Sequence, residues 1–248
     1  MSYKNVFRRY ELKYLLTEKQ KEAVLEGASR YMRLDQYGRT TIRNLYFDND
    51  SYRLIRRSLE KPNYKEKLRI RSYQKADSDS TVFVELKKKY DGVVYKRRIA
   101  MPEVAAMNWV LGKASAPTDT QITREIDYFM SHYGRLLPSV YLSYEREAYY
   151  HIEDSDFRVT FDDNIFSRRD RLSLRENADG LPILPEGRVL MEIKCSGAIP
   201  LWMVDILSSN RIYKTPFSKY GRAYTEYILP ELLITKNTNK ETLINVNI

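Results

Sequence analysis

Apolar and polar residues alternate with a period of two in several stretches of this chain, the pattern of a β-strand with one buried face. In 65–73, for example, Leu68 and Ile70 alternate with Lys67, Arg69 and Arg71. Successive side chains of a strand point to opposite faces, so such a strand has one apolar and one charged face. The pattern predicts strands over 7–16, 40–47, 65–73, 81–89, 93–101, 139–150, 156–163 and 188–195.

Helical signals lie between these strands. Thr17 and Gln20 have the spacing of a capping box, which predicts a helix over 18–32. Gly134 is placed to end a second helix, and Pro102 and Pro200 each precede a shorter one. The remaining predicted helices are 103–111, 119–133, 200–209 and 217–229.

A hairpin signal joins two of the strands directly. Asp91-Gly92 stands between 81–89 and 93–101, and this dipeptide favours the tight turn of an antiparallel pair. Because strands outnumber helices and turns of this kind join them, the sequence predicts an α+β fold with an antiparallel sheet. Residues 1–234 are predicted to form a single domain, followed by a polar tail over 235–248.

The polar faces of the predicted strands hold far more Arg and Lys than Asp. The ordinary interpretation is a half-buried sheet whose charged face is solvated. Solvated faces usually mix charges of both signs, however, and eight such strands are enough to close on themselves. We therefore predict a closed eight-stranded antiparallel β-barrel with helices packed on the outside. A barrel of this size holds side chains and one small ligand.

Several strands place charged residues two positions apart on one face. Glu-x-Lys occurs three times, as Glu11-Leu12-Lys13, Glu85-Leu86-Lys87 and Glu192-Ile193-Lys194. Basic pairs have the same spacing, namely Arg69 with Arg71 and Lys96 with Arg98. If these faces converge, they form a pocket lined by cations and a few carboxylates. Such a pocket suits a phosphate chain accompanied by a divalent metal ion.

Net charge narrows the choice of partner. The 248 residues include 42 Lys and Arg against 33 Asp and Glu, a net charge of +9. An excess of this kind favours an anionic partner: nucleic acid, a phosphorylated metabolite or an anionic membrane. The 21 tyrosines could stack single-stranded bases. The basic residues keep a period-two register on strands, however, so we expect no nucleic-acid partner.

The remaining composition bears on location. Cys195 is the single cysteine, which excludes an internal disulfide and fits a reducing compartment, so we expect a cytoplasmic protein. The residues from Met1 to Tyr10 lack the apolar core of a signal peptide. No run approaches 18 apolar residues, so we expect no membrane span in this chain. A membrane partner stays possible, and the sequence leaves the oligomeric state open.

Nine motifs follow one another in an order that matches a known family. They are Arg8-Arg9-Tyr10-Glu11-Leu12-Lys13-Tyr14, Asn44-Leu45-Tyr46-Phe47-Asp48-Asn49, Lys67-Leu68-Arg69-Ile70-Arg71, Val84-Glu85-Leu86-Lys87, Tyr95-Lys96-Arg97-Arg98, Tyr144-Glu145-Arg146, Arg158-Val159-Thr160-Phe161-Asp162, Glu192-Ile193-Lys194 and Phe217-Ser218-Lys219-Tyr220. At these residues, over about 5–229, the chain resembles the triphosphate tunnel metalloenzyme superfamily. Within it the chain is most similar to the VTC domain, which polymerises polyphosphate. Arg9 stands where the adenylate cyclase and thiamine-triphosphatase branch has its first Glu, which favours the VTC branch.

The resemblance implies an enzyme that transfers the terminal phosphate of ATP onto a growing polyphosphate chain. It implies phosphate contacts from Lys13, Arg69, Arg71, Lys87, Lys96, Arg146, Arg158 and Lys219. Further phosphate-binding positions are Tyr144, Ser218, Lys194 and Arg98. The metal, Mn²⁺ or Mg²⁺, is expected at Glu192, with Glu11, Glu85 and Asp162 as the other candidates.

Several of these assignments have alternatives. Glu11 and Glu85 either bind metal or orient neighbouring lysines, Lys194 either contacts phosphate or pairs with Glu192, and Asp162 binds metal or forms a salt bridge. For the whole protein, the alternatives are a tunnel-type inorganic or nucleoside triphosphatase and a non-catalytic module that binds polyphosphate or nucleotide. Off the charged faces, Arg43 and Arg97 are expected to be surface charges, His132 and His151 solvated or satisfied, and Cys195 a packing residue.

Overall fold

The computed structural model describes residues 6–154 and 156–234, with side chains from Tyr10 onward. The predicted tail over 235–248 lies outside the described residues. The strands are β1 (Val6–Thr17), β2 (Met32–Asp48), β3 (Tyr64–Ser72), β4 (Thr81–Tyr90), β5 (Val93–Pro102), β6 (Leu137–His151), β7 (Arg158–Arg168), β8 (Leu181–Pro182) and β9 (Arg188–Cys195). The helices are α1 (Glu18–Ala28), α2 (Arg53–Leu59), α3 (Glu103–Val110), α4 (Gln121–Tyr133), α5 (Leu201–Ser209) and α6 (Lys219–Ala223), which continues into a π-helical turn over Tyr224–Ile228.

All nine strands belong to one antiparallel sheet, in the order β6-β2-β3-β4-β5-β1-β9-β7-β8. β6 also pairs with β7, through Tyr141 with Arg168 at one end and Tyr150 with Arg158 at the other. Each of the eight long strands therefore pairs with two other long strands, and β7 also pairs with β8. The predicted α+β class and antiparallel sheet are confirmed. A ninth strand, the two-residue β8, lies between the predicted strands 156–163 and 188–195, where no element was predicted.

Two apolar clusters pack the helices against one face of the sheet. In the first, α3 and α4 cover β3 and β4, and Trp109, Phe129 and Leu68 are almost fully buried there. In the second, α1 and α5 cover β1, β7 and β9, around Leu16 and Met191. Each such side chain contributes about 1.5–3 kcal/mol by leaving water. This burial fixes which face of every strand is turned away from the helices.

The opposite face carries the charges, and we call it the charged face. It includes Lys13, Arg69, Glu85 and Glu192, whose strand neighbours in the sequence point into the two apolar clusters, and Arg146, which is opposite Asp162. A third cluster occupies part of the charged face itself. There, Ile42, Tyr46, Val140 and Leu142 of β2 and β6 pack against Tyr220, Tyr224 and Ile228. The charged face is therefore polar over one region and filled by α6 and the π-helical turn over another.

Two local signals act as the sequence predicts. The side chains and backbones of Thr17 and Gln20 form a capping box at the start of α1. Asp91 and Gly92 both have positive φ angles, 45° and 82°, as a tight turn of the type favoured by Asp-Gly requires. No helix of the described ranges is both long and apolar enough to cross a membrane.

The largest boundary differences from the sequence prediction are in α1, β2 and β7, and β7 continues to Arg168 where the predicted strand ends at 163. α1 ends at Ala28 and β2 begins at Met32, because residues 32–34 pair with 149–151 of β6. α2 was not predicted, and its cap explains why. The carboxylate of Asp48, at the end of β2, accepts hydrogen bonds from the backbone N–H groups of Leu54 and Ile55 at 2.9 and 3.0 Å. A capping residue this far before the helix does not give the usual sequence signal.

Candidate functional site

Strand pairing brings the predicted site residues together on the charged face. Directly opposite positions include Lys67 with Lys87, Lys87 with Lys96, Arg69 with Glu85, and Glu85 with Arg98. On the other strands, Lys13 is opposite Glu192, Arg146 opposite Asp162, and Arg158 opposite Lys194. The convergence that the period-two pattern predicts is therefore present in the sheet.

Glu85 is the centre of one group of cations. Its carboxylate is fully buried and accepts hydrogen bonds from Nε and Nη2 of Arg69 at 2.8 and 2.7 Å. Lys96 donates to the second oxygen at 3.1 Å, and Arg71 lies 3.9 Å away. Burial alone would raise the pKa of Glu85, but these three cations outweigh it and hold the pKa well below 4.5. Glu85 is thus saturated by cations.

Asp162 is the centre of a second group. It is fully buried and receives a bidentate pair of hydrogen bonds from Arg146 at 2.6 and 2.7 Å. Lys219 of α6 donates to the same carboxylate at 2.5 Å. Burial raises its pKa, and the charges of Arg146 and Lys219 more than reverse that effect, so the pKa lies below 3.8. This carboxylate, like Glu85, orients cations by hydrogen bonds.

Glu11 and Glu192 have a different environment, because their ion-pair partners are lysines. Glu11 is bonded to Lys87, and Glu192 lies 3.8 Å from Lys13 and 3.4 Å from Lys194. Burial raises the pKa of Glu192, and the lysines lower it by more, to well below 4.5. Burial and the nearby charge of Glu192 raise the pKa of Glu11, but Lys87 and Lys194 outweigh both and lower it below 4.5. Lysines therefore pair with both of these carboxylates.

Tyrosine and asparagine side chains orient the arginines further. Arg71 donates to Oδ1 of Asn44 at 2.9 Å and to the hydroxyl of Tyr144 at 3.1 Å. Arg69 donates to the hydroxyl of Tyr46 at 2.8 Å. Burial raises the pKa of Tyr144, but the nearby cations outweigh it and lower the pKa below 10. Asn44 and Tyr46 were not among the predicted site residues. They are two positions apart in the second motif of the chain, so the spacing of a strand places them on the same face.

Contacts from α6 and from the segment before it connect them to three strands, β1, β2 and β6. Lys214 pairs with Tyr14 of β1, and Nζ of Lys13 donates to the carbonyl oxygen of Phe217 at 2.9 Å. The hydroxyl of Tyr220 donates to Asp48 at 3.0 Å and lies 2.7 Å from that of Ser139. These contacts fix the turn that carries Ser218 and Lys219, and so they place both residues at the charged face.

Two predicted phosphate contacts lie apart from these groups. Arg158 shares the register of the charged face, but its side chain is exposed and forms no ion pair with any described residue. Arg98 lies over the ring of Phe83 at 4.3 Å and donates to the hydroxyl of Tyr73 at 3.3 Å. Both belong to the margin of the site. Lys194 is close to Glu192, as the alternative interpretation of that residue expected.

Three of the residues expected off the charged face lie away from the groups described above. Arg97 points away from the charged face and pairs with Glu125 of α4 at 3.2 Å. Nδ1 of His151 accepts backbone hydrogen bonds at 3.0 and 3.1 Å. Cys195 is buried in the apolar cluster under α5.

The structure does not gather the four candidate metal ligands at one point. Among the described residues, no group of three or more His, Cys, Asp or Glu side chains could hold a metal ion. Glu85 and Asp162 are unsuitable because cations occupy their oxygens. Glu11 and Glu192 fit better, since Mg²⁺ is commonly held by one or two carboxylates together with phosphate oxygens of the substrate.

A comparison with known families identifies the chain. Residues 8–227 match the family of the VTC domain. The chain belongs to the VTC domain family. The match includes each of the carboxylates and cations described above. No curated protein matches this VTC domain.

Solved structures resemble this VTC domain in fold. A candidate adenylate cyclase from Bacillus halodurans is 15% identical, with a TM-score of 0.54 over 87% of this chain and 96% of that one. A candidate adenylate cyclase from Vibrio parahaemolyticus is 9% identical, with a TM-score of 0.45 over 86% and 97%. The Mimivirus capping enzyme triphosphatase is 10% identical, with a TM-score of 0.36 over 85% and 89%. At such identities the likeness to the Bacillus protein extends to the fold alone.

Proposed function

We propose that this VTC domain transfers the terminal phosphate of ATP onto inorganic polyphosphate. The observation that carries the proposal is the charged face, where cations from seven strands and α6 outnumber the carboxylates between them. A phosphate chain supplies the negative charge that this face lacks. We further propose that the pairing of β6 with β7 wraps the eight long strands into a barrel whose lumen this face lines.

The arginines are suited to bind phosphate oxygens. Phosphoryl transfer depends chiefly on positioning and on neutralising the charge of the phosphate oxygens. A guanidinium binds two oxygens at once, and Glu85 and Asp162 hold Arg69, Arg71 and Arg146 in fixed orientations before substrate arrives. Lys13, Lys87, Lys96 and Lys219 supply compact charges between them. Arg158, Arg98 and Lys194 would contact the phosphate chain at the margin of the site, and Tyr144 and Ser218 would add hydrogen bonds.

Glu192, with Glu11 beside it, is the proposed position of Mn²⁺ or Mg²⁺. A divalent ion there would neutralise charge on the phosphate oxygens when bound. The two carboxylates would share the ion with substrate oxygens, and Lys13, Lys87 and Lys194 would be released to the phosphates. Glu85 and Asp162, the other metal candidates, are better assigned as partners that orient cations.

The acceptor decides between related activities. An ionised phosphate at the end of a chain needs no general base, so none is required for polymerisation. If water is the acceptor, the same groups would make the protein a triphosphatase. If the chemistry is absent, it would be a binding module for polyphosphate or nucleotide.

One assay separates these three functions. The protein is incubated with ATP and Mn²⁺, and the products are examined for long-chain polyphosphate and for free phosphate. We expect long-chain polyphosphate, and its loss in Lys219→Ala. Arg97→Ala, which removes a cation from the opposite face, is the matched control and should remain active. Free phosphate alone would replace the polymerase proposal with a triphosphatase, and neither product would leave a binding module.

A further inference from the structure

Lys67 of β3 differs from the other cations at the centre of the charged face. Its Nζ donates to Oγ of Ser218 at 2.9 Å, and it forms no ion pair with any described residue. Its neighbours do form ion pairs: Arg69, two positions along the strand, pairs with Glu85, and Lys87, directly opposite, pairs with Glu11. Among these three neighbouring cations, Lys67 alone has no carboxylate partner within the described ranges.

The surroundings of Lys67 make this absence costly. Burial lowers its pKa well below 10.5, and the four charges that act on it most strongly are also cations: Lys13, Lys87, Lys65 and Arg69. A partly buried cation without an opposite charge destabilises a fold. An anion placed beside Nζ would remove that cost.

Ser218 has a hydrogen-bonding group that suits the same anion. Its Oγ accepts hydrogen bonds from Lys67 at 2.9 Å and from the backbone N–H of Gly221 at 3.1 Å. A hydroxyl accepts two hydrogen bonds and donates one. With both acceptor positions used, its O–H is left to donate, and an oxyanion next to Lys67 is a suitable acceptor.

We propose that Lys67 and Ser218 together form a binding position for one phosphate group of the substrate chain. This inference rests on the proposed function and extends it to a residue outside the set predicted from the sequence. The position lies next to α6, and its ligand is a phosphate oxyanion, supplied either by ATP or by the inorganic chain. Because the phosphate becomes the counterion of Lys67, its binding also favours the protonated lysine.

The test compares Lys67→Met with Lys65→Met by calorimetric titration of inorganic tripolyphosphate and of ATP. Lys65 is two positions away on the same strand and donates to the carbonyl oxygen of Ser58 at 3.1 Å, so its substitution controls for general loss of charge. We expect Lys67→Met to bind about 10- to 100-fold more weakly, the effect of losing a charged hydrogen bond. Lys65→Met should stay within about threefold of wild type. Loss for both ligands assigns the position to a phosphate that both occupy, and loss for one ligand assigns it to that source.

Thermal unfolding without ligand separates this effect from misfolding. Lys67→Met should melt at the same temperature as wild type or higher, because an uncompensated cation is removed. Lys67→Arg should keep binding, because arginine supplies the same positive charge. Unchanged binding by Lys67→Met, or an equal loss in Lys65→Met, would overturn the inference. Failure of the wild type to bind either ligand would instead overturn the proposed function.

Discussion

Two pairs of carboxylates share the charged face, and their surroundings differ. Glu85 and Asp162 are fully buried, and arginines hold both with hydrogen bonds of 2.6–2.8 Å. Glu11 and Glu192 are paired with lysines, and the two ion pairs of Glu192 are 3.4 and 3.8 Å long. A planar guanidinium fixes the geometry of a carboxylate, whereas an ammonium group acts as a point charge on a flexible chain.

This difference indicates different roles for residues that occur in the same sequence motif. Glu11, Glu85 and Glu192 all begin a Glu-x-Lys motif. Glu85 lies where two arginines of the neighbouring strand, Arg69 and Arg71, reach it. We therefore infer that Glu85 and Asp162 stabilise the site and orient its arginines, while Glu11 and Glu192 exchange their lysines for metal and substrate.

The largest expected effect is on stability. Asp162→Asn leaves Arg146 and Lys219 without their counterion and should lower the free energy of unfolding by about 3–5 kcal/mol. Glu192→Gln should lower it less, because its ion pairs are longer and made with flexible lysines. Denaturant unfolding of both variants measures the difference. Equal destabilisation would show that the two kinds of carboxylate are not distinct.

For activity we expect a large effect from Glu192→Gln, the variant with the smaller expected effect on stability. Glu192→Gln is expected to lower metal-dependent turnover about 100- to 1,000-fold, the effect of losing a group that stabilises developing charge. The measurement is turnover of ATP against Mn²⁺ concentration. Glu145→Gln removes a carboxylate from the opposite face of β6 and serves as the control. Full activity of Glu192→Gln would move the metal position to another carboxylate.

A smaller effect tests how the Asp162 group is positioned. Tyr220→Phe removes the hydroxyl that anchors α6 to Asp48, and we expect tripolyphosphate to bind about fivefold more weakly, the effect of one hydrogen bond. The loss should disappear in a Lys219→Ala background, because the hydroxyl acts by placing Lys219. Tyr224→Phe, in the same segment, is the control. Equal losses in both backgrounds would indicate a role unrelated to Lys219.

The smallest effect concerns pH and the Glu85 group. Burial, aided by Arg71 and Arg69, lowers the pKa of Lys96 to about 7 despite the opposing effect of Glu85. Lys96 therefore loses its charge as pH rises through about 7, and tripolyphosphate affinity should fall roughly two- to tenfold between about pH 6 and about pH 8. Calorimetric titration across this range should give a flatter profile for Lys96→Met. The pKa of Lys13, about 8, accounts for a further decline above that range.

The same shift predicts the opposite trend for stability. In the unfolded chain Lys96 keeps its proton up to about 10.5, whereas in the folded protein it loses it near 7. Between these values the unfolded state binds more protons, so the contribution of Lys96 to stability rises with pH. Unfolding of the ligand-free wild type and of Lys96→Met over this range checks the sign.

The residue pattern predicts the eight long strands and separates their apolar faces from their charged faces. The alternation of Leu68 and Ile70 with Arg69 and Arg71 has one solution in a half-buried sheet, because a shift by one residue would expose the whole apolar set. Local signals such as the capping box of Thr17 and the Asp-Gly turn could be predicted from the sequence, because the interacting atoms belong to residues that are close in the sequence. The charged face therefore followed from the pattern alone.

Which charged side chains form ion pairs depends on the tertiary structure. Glu11 and Lys87 are 76 residues apart, and Lys219 and Asp162 are 57 apart. Asp48 likewise caps α2, a helix that was not predicted from the sequence. Lys67 has the same spacing on its strand as Arg69 and Arg71, yet it alone of the three has no carboxylate partner among the described residues. Strand spacing fixes the direction of a side chain, whereas its counterion depends on the strands that lie beside it, and their order is set by the packing of the whole domain.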